Sequence, residues 1–134
     1  MTRSFGLAPD AAEIEALARA ALARLPEAFR VHLGDILVRV EDFADDAVLA
    51  DLGLADPFDL TGLYEGVPLG DKHAAPSGTM PDRIRLFRRP ILDEWAARGD
   101  ESLEHLVAHV LIHEVGHHFG LSDEAMHALE ALAE

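Results

Sequence analysis

Residues 113 to 117 read His-Glu-Val-Gly-His, with Gly120 three positions on and Asp123 three beyond that. In an α-helix His113 and His117 lie about 40° apart around the axis, so both imidazoles can reach one ion from one face. Glu114 is turned about 100° from His113 and flanks that face, where its carboxylate can hydrogen-bond a water on the ion without binding the ion itself. The chain has no cysteine, so disulfides, thiolate clusters and cysteine nucleophiles are excluded, and any metal site must be built from His, Asp and Glu. Zinc, as a single ion, is the default for such a set. A catalytic zinc takes three protein ligands and keeps one position open, so two histidines are one short. Gly120 can break the helix at positive φ and let the chain double back within three residues, which places Asp123 to bring its carboxylate toward the same ion. Glu124 or a water are its substitutes, and Asp123 also fits the first turn of a following helix, where the macrodipole favours acids.

A shuffled chain of this composition carries an HExxH string roughly 4% of the time, and one extended by Gly and then His or Asp about 0.05% of the time. Chance is therefore a poor explanation. A hydrogen-bonded core cluster without a metal is the alternative, but His113, Glu114 and His117 interrupt an otherwise apolar helix, and polar groups there need partners.

The remaining histidines carry less. His105 and His109 continue the four-residue spacing backwards, but the face drifts by about 40° per step, so His105 cannot share an ion with His117; both read as ordinary side chains on the less apolar side of the helix. His118 points about 100° away from His117, toward a supporting or surface role. His32, His73 and His127 carry no readable signal. Tyr64, the sole tyrosine, sits between Gly62 and Gly66, where it either packs or supplies a hydroxyl to a transition state. Arg83, Arg85, Arg88 and Arg89 read as partners of neighbouring carboxylates rather than as an anion site.

The elements that must position these groups follow from capping and periodicity. Asp10 and Glu13 form a capping-box start, and Ile14, Leu17, Ala18, Ala21, Leu22 and Leu25 recur at helical spacing until Pro26. Ile36 to Val40 reads as a mostly buried strand, and Asp45 to Leu52 as a short helix closed by Gly53. Asp56 to Pro81 is dense in Gly and Pro, the mobile part by composition, with Leu60 to Tyr64 a weak strand candidate. Arg83 to Arg88 alternates as a half-exposed strand, with Ile84 and Leu86 on one face and Arg83 and Arg85 on the other. Pro90 opens a helix that Gly99 closes. From about Glu101 to Phe119 apolar residues cover nearly the whole circumference, which predicts a central, buried helix carrying the HExxH string. Gly120 supplies its C-cap, and Ser122 caps a last helix that packs back through Ala125, Met126, Leu129 and Leu132.

With 134 residues, 49% of them hydrophobic and 27% charged, the chain suits one globular domain over residues 1–134 with a core of its own. A formal charge of −14 predicts net repulsion from polyanions, so nucleic acid is not an expected partner. No apolar run approaches a bilayer span, Met1 to Pro9 is too short and polar for a secretory core, and a cytoplasmic protein without a membrane partner is expected. Composition leaves the oligomeric state open.

The string from His113 to Asp123 resembles the metzincin-like HExxHxxGxxD form of zincin metallopeptidases. More closely, the chain resembles the small bacterial zincin-like metallopeptidase family of acidic proteins, through Gly62 to Leu69 (Gly-Leu-Tyr-Glu-Gly-Val-Pro-Leu) and Ile84 to Ile91 (Ile-Arg-Leu-Phe-Arg-Arg-Pro-Ile) as well as the core motif. The resemblance covers about residues 30 to 133. It implies that His113 and His117 bind zinc, that Asp123 is the third ligand, and that Glu114 is the general base and later acid. It also implies an α+β minimal zincin-like fold, a small mixed sheet packed on an N-terminal helix and the buried active-site helix. Two features depart from larger metzincins: the third ligand is Asp, not His, and only 11 residues follow it, leaving no room for a C-terminal subdomain. The methionine turn beneath the metal in those enzymes could be matched only by Met126.

Such a site would hydrolyse peptide bonds: zinc polarises the carbonyl and acidifies its water, and Glu114 passes the proton to the leaving amine. A peptide or protein substrate could be held by an edge strand, with Arg83 to Arg88 the candidate. Two rivals stand beside this expectation, a zinc-binding interaction module that cleaves nothing and a zinc hydrolase of non-peptide amides.

Overall fold

The computed structural model describes residues 6–31, 33, 36–66 and 82–133; residues 67–81 of the Gly- and Pro-rich stretch, His32, His73 and the side chains of His118 and Leu132 lie outside them. Among the described residues the architecture is α+β, with six helices and a three-stranded mixed sheet. No described helix is long and apolar enough to cross a membrane.

Helix α1 (Ala11–Ala23) begins with the capping box read from the sequence: Glu13 N–H donates to Asp10 Oδ1 at 2.8 Å, and Asp10 N–H donates to Glu13 Oε1 at 3.2 Å. Pro26, which ends the apolar pattern, starts a further single turn, α2 (Glu27–Arg30). Strand β1 (Leu37–Glu41) leads to α3 (Asp46–Leu52), capped by Asp45 and closed by Gly53 at φ 70°. A 3-10 turn at Pro57–Asp59 precedes β2 (Gly62–Glu65). Strand β3 (Arg83–Phe87) runs directly into α4 (Arg88–Arg98), which begins two residues ahead of Pro90. Ser102 caps α5 (Leu103–Phe119), and α6 (Asp123–Ala133) follows, its first turn held by Ser122 Oγ accepting from Ala125 N–H.

The strand order is β1-β3-β2, parallel between β1 and β3 and antiparallel between β2 and β3. Strand β3 therefore lies in the middle, paired on both sides; among the described residues β1 and β2 are the edges. The expected alternation is present, but on the outer face of β3 only Arg83 keeps partial exposure. Ile84 and Leu86 are fully buried on the helix side, and Phe87 on the other side packs with Ala44 and Leu49. Arg85 is buried as well, its Nε donating to Glu41 Oε1 at 2.7 Å while Nη1 lies 3.6 Å from Glu65 Oε2. Ion pairing across both neighbouring strands lets a charged residue occupy a central position, which alternation alone reads as solvent.

Helix α5 crosses the inner face of the sheet and is flanked by α1, α4 and α6. Leu106, Val107, Leu111, Ile112 and Val115 are fully buried, so the helix is the centre of the core, as its all-round apolar pattern predicts. What stays off the core is a stripe four residues apart: His105 and His117 are exposed, and His109 and His113 are half-buried.

Candidate metal centre

The stripe ends where Gly120, at φ 67°, stops the helix, with Leu121 N–H donating to Gly116 O at 2.9 Å. The bend turns α6 back along α5, close enough that the side chain of Met126 lies against Gly116. A residue with a side chain at position 116 would collide with that methionine. The absence of a Cβ inside the HExxH string thus sets the approach of α6, and Met126 is buried beside the motif.

On the opposite side β2 comes equally close. A Cβ on Gly62 would stand 2.8 Å from Val110 Cγ1 and 3.3 Å from Glu114 Cγ. The strand thereby reaches the Glu114 carboxylate, which accepts from the backbone N–H of Tyr64. Glu114 is buried and its Oε1 lies 3.3 Å from Nδ1 of the exposed His117. Burial pushes the carboxyl above the ordinary carboxylate range, against the opposing pull of His117 and the Tyr64 N–H. The Tyr64 phenol is not aimed at this carboxylate. It hydrogen-bonds Asp82, and burial first, then the charge of Asp82, holds it neutral well past its usual range.

His113 is the most constrained donor. Its Nε2 is buried and has no hydrogen-bond partner among the described residues. Its ring centroid lies 4.4 Å from that of His109 and 6.2 Å from that of His127. Burial, then the neighbouring His109, depresses its affinity for a proton, with Glu130 and Asp123 acting in the other direction. A neutral imidazole whose lone pair meets no donor is suited to a cation. Beside it His109 Nδ1 and Glu130 Oε1 are 2.7 Å apart; an ionised carboxylate only accepts, so the ring nitrogen carries the proton.

Among the described residues, the three donors whose ligand atoms all lie within 4.8 Å of one another are His109, His113 and Glu130. His113, Glu114 and His117 share α5 as expected, but His117 turns to Glu114, and Asp123, exposed in the first turn of α6, stands outside that group. A cavity of about 260 Å³ is lined by His109, His113 and Glu114 together with Thr61, Glu94 and Arg98.

Sequence reasoning passed over His109, Glu130 and His127. The signal for His109 was present, since it precedes His113 by the same four residues that separate His113 from His117. The drift of the face by about 40° per step separates His105 from His117 but leaves His109 beside His113. Glu130 had no local signal, because its place opposite His109 depends on how α6 packs against α5.

The donor chemistry, two imidazoles and a carboxylate around an unpartnered buried nitrogen, fits a divalent transition metal. No curated protein matches the chain. The family model described as zincin-like metallopeptidase matches residues 33–132, which span β1, β2, β3 and the whole of α5, so the chain belongs to the zincin-like metallopeptidase family.

Proposed function

We propose that the protein is a zinc-dependent metallopeptidase in which His113, His117 and Asp123 hold one zinc ion and Glu114 carries the proton. The observation that carries this reading is the buried, unpartnered Nε2 of His113 next to the buried carboxyl of Glu114. Bound zinc would supply a Lewis acid for the scissile carbonyl and acidify a water.

The chain's own part is proton management. Glu114 is raised by burial toward the range where one carboxylate both accepts and returns a proton, as a general base followed by a general acid must. The N–H of Tyr64 fixes the carboxylate from the strand side and His117 from its own helix. Because β2 is an edge strand among the described residues and passes Glu114, an extended peptide can pair along it, in the role the sequence suggested for β3.

The test uses the untagged full chain, with metal content and cleavage of unfolded casein or a peptide library measured together. Expected are one zinc per chain, cleavage lost by at least about 100-fold in Glu114→Gln with zinc retained, and zinc lost in Asp123→Ala. Unchanged cleavage in Glu114→Gln overturns the mechanism. Stoichiometric zinc with no cleavage of any peptide makes the chain a binding module or a hydrolase of other amides instead.

A further inference from the structure

We propose that His109, His113 and Glu130 form a second metal station, one helical turn upstream of the HExxH set, and that the two stations share His113 and hold one ion between them. This rests on the reading above that the chain binds a metal, and it goes beyond it by giving the ion two places.

Helix α5 carries His109, His113 and His117 at four-residue spacing, and α6 returns alongside it. Glu130 is hydrogen-bonded to His109, the His127 ring faces His113 edge-on, and the charge of Asp123 reaches His113. The seam between the helices is therefore lined with donors over more than one turn. At its upstream end the three ligand atoms already lie within 4.8 Å of one another. Two ligands on a tetrahedral zinc stand about 3.4 Å apart, a closure that side-chain rotation can supply. A cation there would replace the proton that joins His109 to Glu130, and the Glu130 side chain, 12% exposed, would offer a carboxylate already ordered by the fold. Two nitrogens and one oxygen select Zn²⁺ or Co²⁺ over Ca²⁺ or Mg²⁺, which take oxygen ligands.

Sharing follows from His113. Its Nε2 is the unpartnered nitrogen, and one lone pair serves one ion at a time.

The test is titration of the untagged, metal-free full chain with Co²⁺, reading the visible absorption of the bound ion and its affinity against a competing chelator. Wild type should bind one Co²⁺ per chain. His117→Ala, which breaks the downstream set, should still bind one, with an altered spectrum. His117→Ala combined with the near-isosteric Glu130→Gln should bind at least about 10-fold more weakly than His117→Ala alone. Thermal unfolding of each metal-free variant verifies that it is folded, and His109→Ala replaces Glu130→Gln if that variant is not. Equal affinity in the single and double variants, no binding by His117→Ala, or two ions on wild type each overturn the shared station. Those results leave the peptidase reading standing, whereas a wild-type chain that binds no Co²⁺ overturns both. Unchanged cleavage in Glu114→Gln removes the mechanism alone.

Discussion

The sulfur of Met126 occupies the space that a side chain on Gly116 would need. The relationship ties the middle of the HExxH string to the helix carrying Asp123, His127 and Glu130, so packing and ligand geometry are set by the same contact. Ala is preferred to Gly in a helix interior by about 1 kcal/mol, yet here its methyl would strike both Sδ and Cγ of Met126. Gly116→Ala should therefore destabilise the protein by about 1–2 kcal/mol in urea unfolding. In a Met126→Ala background the same change should become neutral or stabilising, because the obstruction has gone and the helix preference remains. A Gly116→Ala effect equal in both backgrounds would show that the two residues do not couple.

Gly62 does the same on the strand side. With Val110 Cγ1 and Glu114 Cγ in its path, the methyl of Gly62→Ala lifts β2 away from α5. A loss of about 1–3 kcal/mol is expected. The Tyr64 N–H that fixes the Glu114 carboxylate moves with the strand. Peptide cleavage should then fall more than zinc content does, since Gly62 approaches Glu114 and neither histidine. Parallel loss of both would mean that the strand supports the ligands and not the carboxylate.

Arg85 tests how the sheet keeps a charge in its centre. Its side chain is 8% exposed and answers two carboxylates, of which Glu41 is itself 36% exposed. Arg85→Ala should cost about 2–3 kcal/mol, less than a fully buried pair because water still reaches Glu41. The exposed Arg19–Glu15 pair on α1 is the control, where Arg19→Ala should change stability by no more than about 0.5 kcal/mol. Chemical denaturation of the two variants decides whether burial separates them.

These contacts also mark how far the sequence could be read. Asp10, Gly53, Gly99 and Gly120 each act as the terminus their residue type announces, because a cap is a local hydrogen bond or a local positive φ, whereas Asp45 and Ser102 prove to be the N-caps of helices that start one and two residues later than expected. The all-round apolar pattern of α5 predicts its central place for an equally local reason. The strand order is different: Arg83 to Arg88 alternates as a half-exposed strand would, and only its pairing with both β1 and β2 makes it central. At the site, His113, Glu114 and His117 are legible from spacing within one helix. The juxtaposition of His109 with Glu130 is a product of two helices meeting, which residue spacing does not encode.

Tyr64 offers a pH measurement free of overlap, since it is the only tyrosine. Its phenol hydrogen-bonds Asp82, and burial and that negative charge both disfavour the tyrosinate. In the unfolded chain the group ionises near pH 10; in the folded chain it should stay protonated well above that. The folded state then binds more protons than the unfolded state above about pH 10, so this group's contribution to stability is complete below that pH and declines as pH rises through the interval. Near-ultraviolet titration should show no tyrosinate in the native protein at a pH where the urea-unfolded protein is half ionised. Asp82→Asn should move the native transition downward, because the charge is removed while a hydrogen-bonding oxygen stays. Native and unfolded titrations that coincide would place the phenol in water and remove the Asp82 contact from the account of how β2 is held beside Glu114.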